Sequence, residues 1–198
     1  MTAAITSRTI VATPRSTLAV GAVAVIGCGL LAARPALVAA TPYPVAVLTV
    51  LFVAVLVAGA RLPLPAATGA LRSRAQRWAT GPAVLVGVVA FGAGRWLVGG
   101  HPPTTATAFL IVTNTLAAVA EEAWFRRLCF GLLAPAGTGF AVVGSTLLFA
   151  AVHVSIYGYW VLPLDLAAGL LLAWQRTATG SWAAPAITHV VANLLIAL

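Results

Sequence analysis

Seven apolar runs divide this chain, and short breaks bearing arginine, proline or glycine separate them. They cover about Thr17–Ala33, Pro44–Ala60, Pro82–Val98, Thr107–Leu133, Phe140–Gly158, Trp160–Trp174 and Trp182–Leu198. A run of about 20 predominantly apolar residues is long enough to cross the hydrocarbon core of a bilayer as a helix. Composition points the same way. The 198 residues are 62% hydrophobic and only 7% charged, against roughly 25% charged in a soluble domain. The mean hydropathy is +1.06. The expected fold is therefore all-α: one polytopic integral membrane domain of about seven transmembrane helices. The breaks "RLPLPAATG" and "GGHPPTTATA" read as connecting loops, and His101 in the second is expected to be solvated.

The net charge is +8, and every basic residue is arginine. These arginines are scattered between apolar runs, with no basic patch interleaved with aromatics, so no nucleic-acid partner is expected. The excess of positive charge in cytoplasmic loops explains them better. With the N-terminus in the cytoplasm, Arg8, Arg15, Arg61, Arg72, Arg74, Arg77, Arg126, Arg127 and Arg176 fall inside, and Arg34 falls outside. The first helix, which a signal peptide would also resemble, is expected to be retained. Tyr157, Tyr159 and Trp160 then form an outer aromatic belt, and Trp78, Trp174 and Trp182 an inner one. Cys28 and Cys129 lie in separate runs without metal-site spacing and read as small buried side chains. The Ala- and Arg-rich, Lys-free composition suggests a bacterial origin and hence a bacterial inner (cell) membrane.

Ionisable groups are costly inside a bilayer and mark function there. The chain has three acidic residues, and two are adjacent, in "EEAWFRR". Glu122 and Arg126, four apart on a helix, share a face and can pair; a purely structural ion pair is the plainer reading. Glu121 points about 100° away and is left to face a cavity. "FAAVH" puts Phe149 one turn below His153, where it would restrict the imidazole. "HVVAN" puts His189 and Asn193 on one face of the last helix. Either histidine alone would more often be a hydrogen-bonded core residue. Counted from the helix ends, Glu121, His153, His189 and Asn193 fall at comparable depths, roughly 11–20 Å into the membrane. Asn114, two turns before Glu121, is a candidate partner for the site or a simple interhelical hydrogen-bonding group. Arg95 and Asp165 are expected to pair at the outer ends of their helices.

A buried carboxylate beside a histidine can activate water, and His189 with Asn193 can donate hydrogen bonds to an oxyanion. No obvious serine or cysteine nucleophile lies at helical spacing from these groups. Water attack on an amide within the membrane is the chemistry that fits.

In order, "EEAWFR", "FAAVH" and "HVVAN" resemble EExxxR, FxxxH and HxxxN, the motifs of the CPBP intramembrane proteases, the family of CAAX prenyl proteases and bacteriocin-processing or immunity proteins. The resemblance covers about residues 107–198, so residues 1–106 would supply further transmembrane helices and a basic cytoplasmic loop to one continuous domain. It implies catalytic roles for Glu121, His153, His189 and Asn193, with Glu122, Arg126 and Phe149 in support. It implies a membrane-associated protein or peptide as substrate, with the lipid bilayer around both. No cofactor is expected. A zinc-dependent mechanism is the alternative, since Glu, two His and Asn could ligate zinc, but no HExxH is present. Rival readings are a non-catalytic immunity or binding protein of the same fold, a haem protein with His153 and His189 as axial ligands, and a transporter using Asp165 and the glutamates as a proton path.

Overall fold

The computed structural model describes residues 14–65, 72–98 and 108–197. His101 and Arg8 lie outside the described residues. Among those described, every regular element is helical: α1 (Pro14–Ala32), α2 (Arg34–Ala39), α3 (Pro44–Arg61), α4 (Arg74–Trp78), α5 (Thr80–Val98) and α6 (Ala108–Glu122). A π-helical segment, Ala123–Cys129, carries α6 into α7 (Phe130–Leu133). Then come α8 (Thr138–Tyr157), α9 (Leu162–Thr179) and α10 (Ala183–Ala197).

The chain is an all-α integral membrane protein. A long helix stands where each of the seven runs was expected. Among the described residues, four segments are both long and apolar enough to span: Pro44–Arg61, Arg74–Leu97, Ala108–Ala136 and Thr138–Tyr157. Ser16–Ala32 and Ala183–Leu195 are apolar but shorter. α9 is long enough, but Asp165, Gln175 and Arg176 dilute its apolar character. It also starts later and runs further than its apolar stretch suggested, from Leu162 to Thr179, where Gly180 ends it in a left-handed conformation at φ 63°.

Arginine side chains tie the helix ends together at one end of the bundle. The last carbonyls of a helix lack partners within it, and cationic donors there are favourable. Arg127 donates to the Gly59 carbonyl at 2.6 Å and to that of Leu62 at 3.2 Å, closing α3. Arg72 donates to the Thr179 carbonyl at 2.7 Å and to the Thr80 hydroxyl at 2.6 Å, joining the end of α9 to the start of α5. Ser73 and Gln76 form a reciprocal cap on α4.

Packing then positions α6. Leu31, Phe52, Val55, Trp124, Phe125, Leu128 and Phe149 form one core that joins α1, α3, the π segment and α8. Gly59 lets α3 approach closely: a Cβ there would lie 2.8 Å from the Ala123 carbonyl carbon. On the other flank, Gln175 donates to the Ala83 carbonyl at 2.7 Å and to the Thr188 hydroxyl at 2.9 Å, linking α9 to α5 and α10. The bulky residues left on the outside, such as Leu18, Val25 and Trp96, are apolar, as suits a surface solvated by lipid.

Candidate active site

The two glutamates end α6, and the π segment begins directly after them. Such insertions widen the helical ladder and recur at functional sites. Both carboxylates are buried, yet they face different partners.

Glu122 is sealed inside the protein. Its Oε1 accepts from His189 Nδ1 at 2.9 Å. Its Oε2 lies 3.4 Å from Arg126 Nε, and neither side chain of that ion pair has any exposure. Arg126 also donates to the Gly169 carbonyl at 3.3 Å and lies over the Phe149 ring, 4.5 Å from its centroid. The expected Glu122–Arg126 contact is thus present. The bond from His189 was not expected, and it restricts that residue. With Nδ1 committed to Glu122, only Nε2 is left for the cavity, and it donates only when the ring is an imidazolium.

Glu121 lines the cavity but is not unpartnered, as the sequence had suggested. Arg34 Nη1 donates to its Oε1 at 2.8 Å. Arg34 was expected at the outer side of the bundle with no role in the site. The break between α1 and α2 turns its side chain inward, where Nε donates to the Leu31 carbonyl at 2.8 Å and the guanidinium lies 5.5 Å from the Phe52 ring centroid. The other oxygen, Oε2, is 3.7 Å from His153 Nε2. That is too long for a direct hydrogen bond. His153 Nδ1 is 2.8 Å from the Phe149 carbonyl. A carbonyl only accepts, so Nδ1 carries the hydrogen and the neutral ring offers Nε2 as an acceptor. Phe149 packs against His153 as expected, with ring centroids 4.5 Å apart, and also touches Phe125 and His189.

Glu121, His153, His189 and Asn193 line one cavity of about 360 Å³ together with Arg34 and Tyr157. Glu122, Arg126 and Phe149 stand behind it. Asn193 donates one N–H to the main-chain carbonyl of Asn114 at 3.3 Å, so Asn114 meets the site through its backbone. Tyr157, one turn beyond His153, stacks on that imidazole with centroids 6.0 Å apart. Its i+4 spacing was a legible signal that the sequence reading passed over.

One expectation needs correction. Arg95 and Asp165 form no ion pair, and the buried Oδ2 of Asp165 has no hydrogen-bond partner. Cys28 and Cys129 are both free, as expected of small side chains in the bundle, with Cys129 buried and Cys28 partly buried. The donor set also fits zinc poorly. Among the described residues no three His, Cys, Asp or Glu side chains converge as ligands, and the Arg34 guanidinium already occupies Glu121 at 2.8 Å.

Residues 102–195 match the model of a protease family, the type II CAAX prenyl endopeptidase Rce1-like family. That segment is similar to the family. The match includes all three motifs, and Arg34 lies outside it. No curated protein and no solved structure matches the chain.

Proposed function

We propose that the protein is an intramembrane endopeptidase of the bacterial cell membrane that cleaves a membrane-associated protein or peptide by water activated at Glu121 and His153. The observation that carries this reading is the pairing of Glu121 Oε2 with His153 Nε2 across 3.7 Å at the wall of the shared cavity. Two acceptors at that separation can each take one hydrogen from a single water between them. Arg34 holds the opposite carboxylate oxygen, so Oε2 is the one turned to the water.

The water oxygen attacks the scissile carbonyl carbon while its proton passes to Glu121 or His153. The carbonyl oxygen becomes an oxyanion, held by the second N–H of Asn193 and by Nε2–H of the His189 imidazolium, whose Nδ1–H is oriented by Glu122. The acquired proton then moves to the leaving amine, the C–N bond breaks, and the second hydrogen of the water passes from the new carboxylic acid to the amine, so that a carboxylate and an ammonium result. Positioned acid–base groups of this kind contribute roughly 10²–10⁴-fold, and each oxyanion donor roughly 10²–10³-fold. Arg126 and Phe149 act through their neighbours: Arg126 fixes Glu122, and Phe149 fixes His153.

The test is a comparison of membrane proteomes and new N-termini between wild-type and Glu121→Ala cells. A precursor that accumulates in the variant, with loss of its matching new N-terminus, supports the reading and names the substrate. Indistinguishable proteomes sink it.

A further inference from the structure

The cavity and the arginines occupy opposite ends of the bundle. The cavity wall is built from Arg34 at the start of α2, Leu48 in the first turns of α3, Asn114 in the first half of α6, Tyr157 at the end of α8 and Asn193 near the end of α10. Each is at, or leads toward, the same end of the bundle. At the other end lie Arg61 closing α3, Arg72, Arg74 and Arg77 around α4, Arg127 against the end of α3, and Arg176 in the last turn of α9. No acidic residue accompanies them, since the chain's only acids are Glu121, Glu122 and Asp165. At the cavity end, Arg34 is matched by Glu121, and Arg95 and Asp165 carry opposite charges.

Arginine near the ends of transmembrane helices stays on the cytoplasmic side. The lopsided distribution therefore fixes which way the cavity faces. We infer that the cavity runs from the middle of the bundle toward the extracytoplasmic surface, and that the site takes its substrate from that side: a peptide segment at or near the outer leaflet. The outer end also carries the exposed aromatics Tyr43, Tyr159 and Trp160, which suit a headgroup layer. His153 is one turn from the end of α8, so only about 6 Å of helix separates it from that layer. The substrate half of the inference rests on the endopeptidase reading; the direction of the cavity does not.

The experiment uses the full chain in spheroplasts and a membrane-impermeant maleimide, with single cysteines introduced by Val38→Cys on the cavity wall, Tyr43→Cys between α2 and α3, and Arg74→Cys at the arginine end. The wild-type chain, with Cys28 and Cys129 in place, is the blank. Val38→Cys and Tyr43→Cys are expected to label on intact spheroplasts, and Arg74→Cys at least tenfold less until the membrane is permeabilised. The reverse pattern overturns the inference. So does labelling at Tyr43→Cys with none at Val38→Cys in either state, because the cavity would then be closed to the outer surface. Labelling as expected with an unchanged Glu121→Ala proteome would instead defeat the endopeptidase reading and leave the direction of the cavity standing. New N-termini on the cytoplasmic side of a cleaved substrate would overturn the substrate half.

Discussion

Glu121 and Glu122 are neighbours in sequence and nearly equal in burial, but their surroundings divide them. Glu122 meets His189 and Arg126 behind the cavity wall, and its own side chain has no exposure. Glu121 meets Arg34 and His153 at a cavity wall. A carboxylate whose contacts are all protein can position its neighbours and little else. One with an oxygen turned to an open space beside an imidazole can exchange a proton with a guest. The difference lies in the access of each group, since the residue type is the same.

Exchanging each glutamate for its amide should therefore read out differently. Glu121→Gln is expected to cut the cleavage rate by roughly 10²–10⁴-fold while the protein still folds in detergent, as size-exclusion profiles would check. A variant with near-wild-type turnover would erase the distinction. Glu122→Gln leaves Arg126 buried without its countercharge. Removing one partner of a buried pair costs about 3–5 kcal/mol, so its thermal midpoint should fall clearly, and Glu122→Leu with Arg126→Met should recover much of the loss. If the double variant is no better than the single one, Glu122 is more than an anchor.

Arg34→Ala sharpens the cavity side of the comparison. It frees the oxygen of Glu121 that the guanidinium holds, and small misplacements at a reacting group cost up to about 100-fold. Arg34→Lys should restore a substantial part of the rate, because an ammonium can still meet the carboxylate. Equal loss in both variants would mean that Arg34 serves the fold alone. The smallest effect is expected from Phe149→Leu, which keeps an apolar side chain but removes the ring under Arg126 and beside His153. A loss of about 1–2 kcal/mol in stability follows from the cation–π contact and packing, with turnover reduced only severalfold; calorimetry and rate assays separate the two.

Spacing made the inner half of this site legible. An i,i+4 relation on one helix needs no tertiary information, so Glu122–Arg126 and Phe149–His153 could be read directly. Contacts between helices could not. Arg34 reaches Glu121 across 87 positions, and in sequence "ARP" looks like the end of a span followed by a loop. His189 was legible as a polar group facing the bundle, but its choice of Glu122 depends on how α10 packs on α6. The π segment leaves no hydrophobic period of its own, so the helix around Trp124 read as regular. Asp165 was assigned to Arg95 because both stood at outer helix ends, and which side chains meet there depends on how the helices pack. The seven helices were legible from apolarity; among the described residues, four segments meet the spanning criterion on their own, and polar groups dilute α9.

The central claim is that Glu121 drives peptide cleavage in this cavity. Its most direct test takes the precursor that accumulates in Glu121→Ala cells and incubates it with the purified chain in lipid nanodiscs, following product by mass spectrometry. The account predicts that the wild-type chain alone yields the new N-terminus, and that Glu121→Gln, matched for thermal midpoint, leaves the precursor intact. Conversion by Glu121→Gln at the wild-type rate would contradict it.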